Sequence, residues 1–487
     1  MATISLGQHI RQLAEQDPDR PSITYEGRTV TRLELERRTN RLARAYEKLG
    51  VKQDDFVTIA LPNGIEFLEA VIAIWKLGAT PQPVSSKLPR AELDAILELA
   101  QPSLVVGMSA GTLDGPESIS PDYDPDPALS DDPLPDRRAK HGKAMTSGGS
   151  TGRPKLIVSE RPAEYDPEAA PLYLELMRVE QNGAHLVPGP LYHNGPYSCA
   201  LMGLFSGNHL IIMPRFDAQT ALELIDQYNV DYVMMVPTMM HRIWRLGEEE
   251  RNRHDLSSLR IVYHLAAPCP AWLKEAWIDW LGPERIQELY GGTESQGATF
   301  ITGEEWLEHR GSVGKPMVGS QMKILDPDGN ELPPGEIGEV YMLPDGGPGS
   351  TYHYIGAEPK SRDGWESLGD MGWMDEDGYL YLSDRQTDMI LSGGANIYPA
   401  EVEAALDAHP NVSSSAVIGL PDEDLGQRVH AIVQTTGSVS DEELLDHLAD
   451  HLVRYKQPRS FEYVNEPLRN DAGKVRRTAL RDARIQK

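Results

Sequence analysis

Short apolar runs of β character alternate with helical periodicity through the first third of the chain. Phe56–Pro62 (FVTIALP) reads as a strand, Gly64–Gly78 (GIEFLEAVIAIWKLG) as a helix closed by glycine, and Pro102–Gly107 (PSLVVG) as another strand. This alternation predicts α/β layers with mostly parallel pairing. Residues 113–136 are acidic and rich in proline, which lacks the amide hydrogen that helices and central strands need, so a surface connector is expected there. Periodicity resumes after Gly183. His209–Pro214 and Asp231–Pro237 are candidates for buried strands flanking the helix AQTALELIDQYN.

The C-terminal stretch has the pattern of a separate small α+β unit. Pro399 stands at a helix start, where its missing N–H costs nothing, and Pro410 lies beyond the end. SSSAVIGLP and QRVHAIVQTT read as strands. Ser440 and Glu443 make a capping-box pattern ahead of Leu444, Leu445, Leu448 and Leu452, which share one helical face. The expected boundary falls near Asp384–Asp388, dividing the chain into a large unit 1–385 and a small unit 386–487.

Composition adds limits. A chain of 487 residues with 40% apolar and 25% charged side chains is ordinary folded protein, too long for one core. The net charge of −28 argues against nucleic acid or an anionic membrane as partner. Cys199 and Cys269 are the only cysteines and lack metal-ligand spacing, so a disulfide framework or zinc site is not expected, and a reducing cytoplasm is. The polar, helix-patterned N-terminus does not resemble a signal peptide, and no apolar run reaches the ~18 residues of a membrane span.

The candidate chemistry begins with TSGGSTGRPK, Thr146–Lys155. Glycines let a backbone approach an anion, Thr146, Ser147, Ser150 and Thr151 add hydroxyl donors, and Lys155 adds charge. The spacing is not that of a Walker loop, and the competing reading is a Gly/Ser linker. YGGTES, Tyr290–Ser295, offers Glu294 as a hard oxygen ligand for Mg²⁺, although such a hexapeptide alone is more often a turn. Leu368–Arg385 predicts a hairpin turning at Asp377–Gly378, with Asp370 and Arg385 placed to reach a ribose. NDAGKVRR puts Lys474 just after a glycine turn.

Together with PLYHNGP and DRQTDMILSGGANIYPAEVE, these motifs stand in the order found in the ANL superfamily of adenylate-forming enzymes, which the chain resembles from about residue 8 to 482. The resemblance implies a large multi-layer N-terminal α/β domain, a small mobile α+β C-terminal domain, and an AMP-forming acyl-CoA synthetase using ATP, Mg²⁺ and coenzyme A. By position, Thr146, Ser147, Gly148, Gly149, Ser150, Thr151, Gly152 and Lys155 resemble the phosphate-binding loop. Thr293 resembles the α-phosphate contact, Glu294 the Mg²⁺ ligand, and Asp370 and Arg385 the ribose contacts. Tyr290, Gly291 and Gly292, with Ala266, Ala267 and Pro268, resemble segments along the nucleotide. Lys474 resembles the catalytic lysine, while Ser392, Gly393 and Gly394 resemble the pantetheine-tunnel segment reached after the small domain rotates. His193 resembles a gate of the acid pocket, a structural histidine being the alternative. Tyr192, Asn194, Tyr197, Val236, His264 and Gly291 are implied pocket lining.

One departure is Thr387, which stands where the family usually has a hinge aspartate or lysine; Asp388 is the neighbouring substitute. The family's amino-acid activators carry an FDxS element that PLYHNGPYS lacks, so a carboxylic acid without an α-amine is expected. Free coenzyme A is the expected acceptor because no carrier module follows the small domain. A carrier-protein thiol is the alternative, and a non-catalytic nucleotide-binding protein the alternative of another class. Assembly with further copies of the chain stays open. A fainter likeness points to bacterial ligases for bulky polycyclic acids, such as those of platensimycin-type diterpenoid pathways.

Overall fold

Phe56–Ile59 pairs in parallel with Thr80–Pro83 on one side and Leu104–Val106 on the other, as the alternating pattern requires. The helix between the first two, Ile65–Lys76, is apolar almost all round and buried on every side. Its one ammonium, Lys76, donates to Glu36, Thr39 and Asn40, which is how a charge survives in that core. The computed structural model describes residues 2–113, 115–148, 154–385, 388–471 and 473–485. The expected connector holds a strand after all. Glu117–Ile119 pairs in parallel with Leu104–Val106 at the sheet edge, where flanking prolines disturb no second neighbour.

A nine-stranded sheet organises the large domain. Its strands from Ile286–Gly291 through Ile261–Leu265, Tyr232–Met235, Ala184–Val187 and His209–Ile212 to Pro21–Tyr25 are all parallel. Their carboxyl ends therefore open on one side, the usual place for a ligand in such sheets. The helix Ala218–Tyr228 follows its prediction, with Asp217 capping Thr220 N and Asn229 left-handed at the C-cap. Beyond the sheet, the antiparallel hairpin Asp370–Met374/Leu380–Arg385 turns at Asp377–Gly378, where the Asp375 carboxylate accepts from the Asp377 and Tyr379 amides.

The small domain is a long hairpin, Val412–Asp422 with Gly426–Thr435, covered by the helices Pro399–Asp407 and Asp441–Ala449. Ser440 and Glu443 complete the capping box. Leu444, Leu448 and Leu452 enter a core with Val402, Leu406 and Val433, whereas Leu445 is only half-buried. Among the described residues no helix is long and apolar enough to cross a membrane.

Arg245 joins the two domains. It ends the helix Pro237–Trp244, and its guanidinium donates to the carbonyls of His409 at 3.0 Å, Val412 at 2.5 Å, and Pro410, just past the C-terminus of Pro399–Asp407. Helix-end carbonyls lack intrahelical partners, so a cation there is favourable. The small-domain loop at Gly473 also presses on the large domain: with φ of +73°, an added Cβ would lie 2.8 Å from Thr238 Oγ1. Arg245→Ala is expected to weaken this domain pose by about 2 kcal/mol. The loss should be read as faster proteolysis between the two domains, while the melting temperature of the large domain stays nearly constant.

Candidate active site

The cleft lies at the carboxyl ends of the parallel strands, closed from above by the small domain. At one end, the strand Ala144–Gly148 delivers Thr146 and Ser147, and the antiparallel strand Pro154–Ser159 returns Lys155 opposite Ser147. Gly149, Ser150, Thr151 and Gly152 lie outside the described residues. Lys155 Nζ sits 3.7 Å above the Tyr354 ring and 3.6 Å from Glu294 Oε1. Tyr354 Oη donates to that same oxygen at 2.6 Å. Burial and the Glu294 charge push the Tyr354 phenol well above its ordinary pKa, so it stays a donor.

Glu294 is buried, on the cleft wall, because the chain turns sharply after Ile286–Gly291. Ser295 takes a left-handed φ of +55°, and a Cβ on Gly292 would meet Glu294 Oε2 and Leu368 Cδ1, both at 2.8 Å. Glycine there is what allows the carboxylate to fold back over its own loop. Only part of the carboxylate's acceptor capacity is taken by Tyr354 and Lys155. It thus fits a Mg²⁺ ion, which takes few protein oxygens and completes its shell with phosphates and water.

Further along the wall, Tyr290 Oη donates to Asp370 Oδ2 at 2.8 Å, fixing the carboxylate there. Asp370 lies directly opposite Arg385 in the hairpin register, and the Arg385 side chain is outside the description. Ala266, Ala267 and Pro268 line the wall after Ile261–Leu265, and Ala266 makes the turn with φ of +76°. Thr293, Gly291 and Gly292 also line it.

The cleft is also lined by His193, Asn194, Tyr197 and Val236, the residues expected at the acid pocket. His193 precedes the helix Asn194–Phe205; its Nε2 is buried without a partner among the described residues. Burial first, and Lys474 second, lower its pKa to about 4, so the imidazole is neutral near pH 7. Two expected lining residues are not there. Tyr192 does not line the cleft; its ring packs 4.3 Å from that of His193, and it lies near Asp471 of the small domain. His264 is fully buried on the opposite face of its strand, 3.8 Å from Glu288, because its neighbours Tyr263 and Leu265 take the cleft face.

Lys474 comes from the small domain. Its loop is held by Asn470, whose Oδ1 accepts from Lys474 N at 2.9 Å, and Lys474 lines the same cleft as His193, Glu294 and Asp370. Ser392, Gly393 and Gly394 form the turn between Ile390–Ser392 and Ala395–Ile397, outside the cleft in this domain pose. Thr387 is outside the described residues, and Asp388 accepts from Arg477 Nη1 at 3.0 Å. The sequence reading missed Tyr354, Arg245 and Lys143, none of which lies in a recognisable motif.

Known proteins resemble this arrangement throughout. Residues 10–350 match the AMP-binding enzyme family and residues 401–474 its C-terminal domain. A 2-succinylbenzoate–CoA ligase of Bacillus licheniformis is 31% identical, covering 97% of this chain and 98% of its own. A fatty acid–[acyl-carrier-protein] ligase of Streptomyces coeruleorubidus is 29% identical over 96% of this chain and 94% of its own. The structure of o-succinylbenzoate CoA synthetase from Bacillus subtilis with its acyl-adenylate intermediate superposes with a TM-score of 0.84, at 27% identity and 99% coverage of both chains. The same Bacillus subtilis enzyme is also known with ATP and a magnesium ion.

Proposed function

The chain belongs to the AMP-binding enzyme family and ligates a carboxylic acid to coenzyme A with ATP and Mg²⁺, and on that premise we propose how its own residues divide the work. A carboxylate is a poor acylating agent because its leaving group would be oxide. Attack of a carboxylate oxygen on the α-phosphorus of ATP expels pyrophosphate and leaves a mixed anhydride whose leaving group is AMP. Two anions must meet, so catalysis is positioning and charge stabilisation. Lys474 bridges the carboxylate and α-phosphate oxygens. Thr146, Ser147 and Lys155 hold the departing pyrophosphate, Asp370 and Arg385 the ribose, and Ala266–Pro268 border the adenine. Glu294 would hold Mg²⁺, which would supply charge neutralisation at the phosphates. Tyr354 and Lys155 hold the Glu294 carboxylate in place on the cleft wall.

The thiol of coenzyme A then attacks the acyl carbonyl and displaces AMP. For this step the small domain, beginning at residue 386, turns Ser392–Gly394 toward the cleft. We place the enzyme in the cytoplasm, where its thiol substrate is found. The observation that carries the reading is the meeting of Lys474, Glu294, Asp370 and Lys155, from both domains, in one cleft.

The test is acid-dependent pyrophosphate release across a panel of acids, followed by thioester formation. Release with at least one acid and transfer to coenzyme A is the expected outcome. Transfer only to a phosphopantetheinylated carrier protein would move the chain toward the reading suggested by its Streptomyces coeruleorubidus relative. ATP binding without release under any condition would leave a nucleotide-binding protein.

A further inference from the structure

Lys143 directly precedes the strand that ends in the phosphate loop, and its side chain crosses to the first turn of the helix Asn194–Phe205. Its Nζ lies 2.5 Å from Asn194 Oδ1 and 2.9 Å from Ser198 Oγ. Both partners are neutral, and all three residues line the cleft. Among the described residues no carboxylate pairs with Lys143, although the chain has 74 acidic side chains.

Three effects oppose the ammonium. It is partly withdrawn from water on the cleft wall, Arg161 on the same wall adds a second positive charge, and the helix end that it meets carries partial positive charge as well. Burial chiefly, then Arg161, lowers its pKa to about 8. A cation kept in so unfavourable a place gains most when a ligand brings the missing acceptor. Lys143 is three strand residues before Thr146, roughly 10 Å from the phosphate loop at ~3.3 Å per residue. Around it the wall is apolar, with Met145, Ile157, Tyr173 and Met202.

We propose that Lys143 is a specificity-determining residue: it receives a second oxygen acceptor, a carboxylate or a ketone, that an apolar-bodied substrate acid carries away from its reacting carboxylate. The inference rests on the ligase reading and adds the class of acid. A short diacid does not reach; a ring-sized skeleton does.

Three matched acids test it: phenylbutanoate with no second acceptor, benzoylpropanoate with a ketone, and 2-succinylbenzoate with a ketone and a further carboxylate. Their affinities are measured by calorimetry, and their kcat/KM by pyrophosphate release. The wild-type protein should prefer the best acceptor-bearing acid about ten- to hundredfold over phenylbutanoate. Lys143→Met should bring that ratio close to one, mainly through KM, whereas Lys143→Gln, still a neutral donor, should erase only a preference for the carboxylate. Raising the pH well past the Lys143 pKa of about 8 should erase a preference for the carboxylate but not one for the ketone, since a neutral amine still donates. Equal affinity for all three acids, a preference that survives Lys143→Met, or an equal loss for all three acids in that variant overturns the proposal. If no acid releases pyrophosphate while the affinity order holds, the ligase reading fails and the selectivity of Lys143 stands.

Discussion

Lys474→Ala should slow acyl-adenylate formation about 10²- to 10³-fold while leaving thioester formation from supplied acyl-adenylate within a few-fold of wild type. Lys474 reaches the cleft only on a small-domain loop, which Asn470 shapes and which Gly473 lets approach Thr238. In the adenylation step its charge offsets the meeting of carboxylate and triphosphate, and no other small-domain lysine lines the cleft near His193 among the described residues. In the thioester step that meeting is over. The two half-reactions are separable: pyrophosphate release with acid and ATP reads the first, and coenzyme A consumption with synthetic acyl-adenylate reads the second. Equal losses in both would remove the case for two domain poses. Lys474→Arg should recover little, because a planar fork does not replace a compact ammonium between two oxygens.

A second large effect is expected in stability. Lys274 Nζ and Glu288 Oε2 meet at 2.6 Å beneath the cleft, the lysine fully buried and the glutamate nearly so. Lys274→Met removes one partner and leaves a buried carboxylate, which should cost about 3–5 kcal/mol in chemical denaturation at neutral pH. His264 makes the loss pH-dependent. In the native protein burial lowers its pKa to about 4, against an ordinary 6.5, so the unfolded chain takes up a proton first and this histidine subtracts stability as pH falls through that window. Without Lys274, the carboxylate 3.8 Å from His264 favours the imidazolium instead. Its folded pKa then rises, and the variant should regain stability on acidification where the wild type loses it. Denaturation midpoints on both sides of pH 6.5 check the sign; parallel curves for the two proteins would contradict it.

The sequence revealed most where local chemistry decides structure. The helix Pro399–Asp407 begins at its proline, Ser440 caps as its spacing implies, and the Asp377–Gly378 turn closes its hairpin. Motif residues such as Glu294, Asp370 and Lys474 do face one cleft. What stayed hidden depends on which face a side chain takes. His264 misses the cleft by a single position along its strand, since side chains alternate, and Tyr192 stays off the cleft wall while adjacent His193 turns inward. Tyr354 and Lys143 carry no local signature. They matter because the strand Tyr352–Ile355 pairs with Pro154–Ser159, and because a helix about fifty residues after Lys143 presents Asn194 and Ser198 to it. Those are facts of tertiary pairing, invisible to spacing.

Arg245 makes its hydrogen bonds to the small domain through main-chain carbonyls. Every residue type offers a carbonyl, so the grip reads the path of the backbone and ignores the side chains that decorate it. Divergence in the segment after Pro399–Asp407 can proceed without loosening it, and a C-terminal unit exchanged from a relative of the same fold should be clasped on arrival. This part of the interface is, in effect, a modular coupling whose key is one large-domain side chain.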